Sequence, residues 1–505
     1  MSKHYLLLAA WLVVSASTIP PASACTTILV GRDATADGST IIARNNDEHD
    51  ALSVNSLYRH AKSRGPYQFQ GNAGGFSYTS KRGALAYTAL PYARYVGSSR
   101  VSYEEAGINE HGLTISATET IYNSDRALAV DPYVESGITE DGIASVILAQ
   151  AKSAREGVRL LGRIVERQGA GEGFGVAFGD RHGIWYFETA SGHHWLARKL
   201  PHHAYFVSAN QGRFQEVNLQ SARTTLASPR LLRFAAQHQL WQPRTEAFNF
   251  LRSFVADTPH DATYNYPRVE RLISRYSGLD VSAQAPYFPV FLKPSRKLTV
   301  WDVADGLRDH YQGTSNDPYQ TRNPTAPYRP MAVLRTAHSH LLQQRPDLPK
   351  DIGTVLYLAL GMEDLAPYLP LYNGLPTIPR ALQIQASLND EEALYWNVRK
   401  MQALVFQNYP KYAPWAHEVI RDFEREIQQG QTALESAYRA QYRKQPTAAR
   451  AQIQDFTDHL IAEAKRRLDG VSARIAADLG IPAPSHDDII RMLNEAEKTY
   501  HYGGA

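Results

Sequence analysis

The sequence predicts an α+β protein, a mostly antiparallel β-rich body followed by a long helical region. Three observations carry this. Residues 174–178, 184–189, 194–199 and 205–209 are apolar and β-branched or aromatic runs, and the first three are parted by turns at 179–183 and 190–192. Such turns are too short for a crossover helix, so the runs form an antiparallel meander. Residues 26–31 and 40–43 flank a turn holding Asp33, Asp37 and Gly38 and form a second antiparallel pair, a hairpin. From 389 to 479 the pattern turns helical, charged and Ala-rich. The division that follows is a leader over 1–24, a β-rich body over 25–388 and a helical region over 389–505.

In chain order, Lys3 gives the leader a basic start. Residues 5–14 are an uncharged apolar run, Pro20-Pro21 breaks it, and Ala22-Ser23-Ala24 supplies small residues for cleavage. This is the pattern of a secretory signal, and the run is too short to span a bilayer. No other run approaches about 18 apolar residues, so an exported chain without a membrane span is expected. The strand at 26–31 and its partner at 40–43 return Arg44-Asn45-Asn46-Asp47 beside Cys25. Residues 54–100 are mixed and rich in turns, with Gly74-Gly75 and Lys81-Arg82-Gly83; the alternation at 84–88 predicts a strand. A turn at 109–112 leads into a strand over 114–120 with a polar end.

Residues 142–168 carry Ile143, Val146, Ile147, Val158, Leu161 and Val165 at helical spacing. After the meander, Asn210-Gln211-Gly212-Arg213 sits at a strand end, where a side-chain amide suits oxyanion stabilisation and equally suits a turn. Asn265-Tyr266-Pro267-Arg268 reads as a turn carrying a cation, and 311–329 as a long ordered loop. Residues 336–349 and 351–360 read as a core strand and its surroundings. In the last region Leu394, Val398, Met401, Leu404 and Val405 mark one apolar face, which Leu434, Tyr438, Ile453, Phe456 and Leu460 continue. Such a stripe is core or a partner contact, and it leaves a homo-oligomer open.

The net charge is +3, with 53 basic and 50 acidic residues interspersed, which gives no argument for nucleic acid or an anionic membrane as a partner. One cysteine, Cys25, stands in 505 residues, so no intramolecular disulfide can form. It lies directly after Ala22-Ser23-Ala24. Cleavage after Ala24 would give one residue both a thiol and a free α-amine, the equipment of an N-terminal nucleophile. An α-amine with a pKa of about 8 suits a base working near neutral pH. Arg44 can stabilise a thiolate by charge, and Asp47 can accept a hydrogen bond from the α-ammonium group. Small residues before a cysteine also resemble a lipidation site, but the chain after Cys25 reads as a buried strand where a lipidated cysteine precedes a flexible tether. The pairs His193-His194 and His202-His203 would point to opposite faces of a strand, and no ligand set has metal-site spacing, so neither metal nor cofactor is expected.

Taken together these stretches resemble the secreted dipeptidase A family of cysteine peptidases, within the N-terminal nucleophile hydrolases. The resemblance rests on Cys25-Thr26-Thr27 with Val30-Gly31; on Asp37-Gly38-Ser39-Thr40 through Arg44 and Asp47; and on Gly107-Ile108-Asn109-Glu110-His111-Gly112-Leu113 with Ser116-Ala117-Thr118-Glu119-Thr120. It continues in Gly192-His193-His194-Trp195, Ala209-Asn210-Gln211 and Asp309-His310-Tyr311 with Gly313-Thr314. It implies an αββα sandwich, with Cys25 as nucleophile and its amine as base. Arg44 and Asp47 would position thiol and amine, Asn210 would match the oxyanion-stabilising asparagine, and Arg268 a later active-site arginine. Glu119 would occupy the place of a second polar group, with a backbone N–H near Thr118 as second oxyanion donor. The implied activity is hydrolysis of dipeptides without a cofactor. An acylase of N-acyl amides and a lipid-anchored binding protein are the alternatives.

Overall fold

The computed structural model describes residues 25–71, 75–96, 103–320, 326–384 and 390–500. The expected leader, Gly74 and the expected boundary between 388 and 389 lie outside the described residues. Two large sheets dominate, and every neighbouring pair of strands in them is antiparallel. The six-stranded sheet runs Tyr205–Ser208, Thr26–Val30, Thr40–Asp47, Thr336–Gln344, Thr354–Leu360 and Leu369–Tyr372. The eight-stranded sheet runs Thr225–Ala227, Trp195–Lys199, Gly183–Thr189, Phe174–Asp180, Thr114–Thr120, Glu104–Asn109, Tyr87–Pro91 and Tyr58–His60.

The period-two alternation of the strands sorts their side chains into two cores. On Phe174–Asp180 and Gly183–Thr189, Val176, Phe178, Trp185 and Phe187 pack with Ile143, Ile147, Val158 and Leu161 of the helices Glu140–Gln150 and Ala154–Gln168. Ala177, Ile184 and Tyr186 point the other way, into one cluster with Leu29, Ile42 and Phe206 of the six-stranded sheet. The Tyr186 and Phe206 rings meet at 4.7 Å across the interface. On the far side of the six-stranded sheet, Trp301 packs edge-on against Tyr357 at 5.9 Å, and Gln431 donates to the Tyr357 hydroxyl at 3.1 Å. The layers are therefore helix, sheet, sheet, helix. Helices Leu394–Val405, Tyr409–Gln441 and Pro446–Leu479 bury the expected apolar stripe within this one chain.

Several elements differ from expectation for identifiable reasons. The stretch 142–168 is two helices, because Ser153 adopts an extended conformation and caps the second through Glu156 N–H at 3.2 Å. The expected turn at 265–268 is the start of helix Tyr266–Ser277. Pro267 stands in its first turn, where a missing N–H costs no hydrogen bond. Residues 336–360 hold two paired strands where one was expected. The strand expected at 84–88 lies at Tyr87–Pro91. The most consequential difference is Tyr205–Ser208, which leaves the meander, crosses to the other sheet and pairs with Thr26–Val30.

Candidate active site

Three neighbouring strands of the six-stranded sheet set the site. Thr27 pairs with Arg44 on one side and with Ser208 on the other. Cys25, one residue before its strand, is thereby flanked by Arg44 from the middle of the next strand and by Asn210 just past the end of the third. The strand 40–43 of the sequence reading extends to Asp47 because Thr336–Gln344 pairs with its whole length. Arg44 is 1% exposed, and its guanidinium donates through Nη1 to Cys25 Sγ at 3.2 Å.

The rest of that guanidinium is held by the facing sheet. Nη1 also donates to Thr118 O at 2.5 Å, Nη2 to Ala117 O at 2.9 Å and to Glu105 Oε2 at 2.7 Å, and Nε to Ser116 Oγ at 3.1 Å. An irregularity in the pairing between Ala117 and Glu119 offers two successive carbonyls to one guanidinium. Ser116 Oγ in turn meets His340 Nε2 at 2.9 Å, and His340 Nδ1 meets His338 Nε2 at 3.1 Å. Burial pushes the Cys25 thiol well up from its ordinary value, and Arg44 pulls it back. Burial also opposes the charge of Arg44, but Cys25 and Glu105 more than offset this and raise its pKa.

Asn210 has φ +55°, a left-handed conformation that asparagine tolerates better than most residues. Its N–H donates to Glu119 Oε1 at 2.5 Å, and its Oδ1 accepts from Arg268 Nη2 at 3.0 Å. Its Nδ2 is buried and has no hydrogen-bond partner among the described residues. A fixed, unpaired amide donor in a dry site suits a developing oxyanion. Arg268, fully buried, also donates to Cys25 O at 2.7 Å, Thr26 Oγ1 at 3.0 Å, Asn265 Oδ1 at 2.8 Å and Tyr264 O at 2.8 Å. It thus links the cysteine backbone to the asparagine amide. Burial, with Arg329 nearby, pushes its pKa down to about 9.

Cys25, Arg44, Asn210 and Arg268 are therefore brought together. Asp47 lies further along the Arg44 strand, where Arg329 forms a buried ion pair with it and Thr336 Oγ1 donates to it at 2.6 Å. Its charge still acts on the Cys25 thiol, raising its pKa. Glu119 accepts from Thr27 Oγ1 as well as from Asn210 N–H, so it orders the two strands that flank the thiol. A backbone N–H near Thr118 was expected as a second oxyanion donor; that of Thr118 itself is turned to Glu140 Oε1 at 3.2 Å. Sequence reasoning gave no role to Glu105, Ser116, Arg329 or His340. Each sits far along the chain from Cys25, and only the tertiary fold brings it near. Among the described residues no group of three or more His, Cys, Asp or Glu side chains could hold a metal ion.

A buried thiol beside a fixed guanidinium, linked through Arg268 to an amide with an unpaired donor, is an arrangement that could serve acyl transfer. The sequence profile of peptidase family C69 matches residues 24–422, and the chain belongs to that family of peptidases. It is 46% identical over 376 residues to a probable dipeptidase of Salmonella dublin, covering 74% of this chain and 85% of that protein. It is 32% identical over 415 residues to a dipeptidase of Bifidobacterium longum (strain NCC 2705), covering 75% and 77%. A third relative is dipeptidase A of Lactobacillus helveticus, 29% identical over 463 residues, covering 88% and 93%.

Proposed function

We propose that this protein is an exported dipeptidase in which Cys25, made N-terminal by removal of residues 1–24, is the nucleophile. The observation that carries the nucleophile assignment is the 3.2 Å contact between Arg44 Nη1 and Cys25 Sγ, beside the Asn210 amide that Arg268 ties to the Cys25 backbone. The names of the relatives support dipeptides as substrates. The Cys25 thiol gives its proton to the Cys25 α-amine as its sulfur attacks the peptide carbonyl. The oxyanion of the tetrahedral intermediate is received by Asn210 Nδ2, held in place by Arg268. The ammonium then protonates the leaving amino group as the C–N bond breaks. Finally the amine takes a proton from water, which hydrolyses the thioester and frees the thiol. No step in this scheme needs a cofactor.

The test combines the intact mass of the protein recovered from its export route with its activity on dipeptides and on N-acyl amides. A chain beginning at unmodified Cys25 that cleaves dipeptides is the expected result. Retained Ala24 in the active form would overturn the amine-base mechanism. A lipid-modified Cys25 would make it an anchor, and preference for N-acyl amides would make the protein an acylase.

A further inference from the structure

Two buried polar atoms next to this site lack partners among the described residues, and they are of opposite kind. Asn210 Nδ2 is a donor and Glu105 Oε1 is an acceptor. Glu105 is fully buried, and its other oxygen binds Arg44 Nη2 at 2.7 Å, the same guanidinium whose Nη1 reaches Cys25 Sγ. Its free oxygen therefore lies one guanidinium away from the nucleophile. Glu140 is close enough for its charge to act on Glu105, and it accepts from Thr118 Oγ1 at 2.6 Å and Tyr103 hydroxyl at 3.1 Å. A dipeptide presents a matching pair of groups. Its α-ammonium is a donor, and the attacked carbonyl, only about 2.5 Å from that nitrogen, supplies an acceptor.

We propose that Glu105, with Glu140 nearby, receives the α-ammonium group of the substrate and so selects peptides with a free N-terminus. This inference rests on the dipeptidase reading above and names the residues that enforce it. Burial raises the Glu105 pKa well above the usual carboxyl range, Glu140 and Glu48 add to this and Arg44 opposes it, so a cation bound at Glu105 offsets a cost the fold imposes. Glu140 also raises the Cys25 pKa, so an arriving ammonium both relieves the carboxylate repulsion and favours the thiolate. A peptide blocked at its N-terminus brings no cation, and its arrival leaves the thiol unactivated.

The test is Glu105→Gln, whose amide oxygen can still accept from Arg44 while its NH2 meets the ammonium. For a free dipeptide, kcat/KM should fall about 100-fold, chiefly through KM. Hydrolysis of the same dipeptide carrying an N-acetyl group should fall far less, about 10-fold at most through the altered partner of Arg44, so that the preference for a free N-terminus collapses, and Cys25 should still be alkylated by iodoacetamide. An unchanged preference for the free over the acetylated peptide would overturn the proposal. So would a parallel loss of both activities and of alkylation, which would make Glu105 an anchor for Arg44 alone. If the wild-type enzyme itself prefers the acetylated peptide, the dipeptidase reading falls, and this one with it.

Discussion

At the scale of single residues, the proposed mechanism divides the site into groups that act and groups that aim them. Asn210 belongs to the first kind in that mechanism. Asn210→Ala removes the unpaired donor, and kcat should fall about 10² to 10³-fold with KM little changed, as steady-state kinetics would show. Glu48 belongs to neither, yet it makes a clean test of the buried charges. Burial and the neighbouring Glu140 push its pKa up to about 8. A raised carboxyl pKa means that between about 4.5 and 8 the folded chain holds a proton that the unfolded chain has released. Its stability contribution is thus complete at low pH and lost as pH rises through 8. The decline in Tm from pH 5 to pH 9 should be shallower in Glu48→Gln than in the wild type, by scanning calorimetry. The proposed nucleophile stood out in the sequence because a lone cysteine after small residues is a local signal. Arg329, which takes Asp47, gave none, since the pairing spans the length of the body.

At the scale of elements, the chain's alternation was readable where a strand has one partner face. Thr114–Thr120 appears with the expected bounds. The crossing of Tyr205–Ser208 to the other sheet was not readable, because an apolar strand satisfies either sheet's pattern equally and the loop before it does not say which. Helix Ala154–Gln168 shows how closely elements approach. A Cβ on Gly162 would stand 2.2 Å from a Trp195 ring carbon. That indole cannot yield, since it stacks on Phe187 at 5.0 Å and donates to Glu166 at 2.9 Å. Gly162→Ala should therefore destabilise the protein by about 1–3 kcal/mol, read from the denaturant midpoint, despite the better helix propensity of alanine.

At the scale of the whole molecule, the long helices are bound to the body by charge as well as by apolar contact. Arg308 forms a two-pronged bond with Glu424 of helix Tyr409–Gln441, at 3.0 and 2.5 Å, and both are largely buried. Arg308 also donates to Glu363 O and Ala366 O, each at 2.9 Å. Arg308→Met should cost about 3–5 kcal/mol, because it strands a buried carboxylate. Circular dichroism and tryptophan fluorescence should report one shared transition, the helices and sheets losing structure together. The helical period of this region was plain in the sequence, but its ties to the body were not, since Arg308 and Glu424 are 116 residues apart.

The crossing strand carries a further consequence. Because Thr26–Val30 is hydrogen-bonded on both edges, by Tyr205–Ser208 and by Thr40–Asp47, its amide protons have no solvent-facing side. They should be among the last in the protein to exchange for deuterium, opening only when the entire chain opens. Warming should then leave the reaction centre intact until the fold itself is lost, so that heat inactivation and global melting coincide.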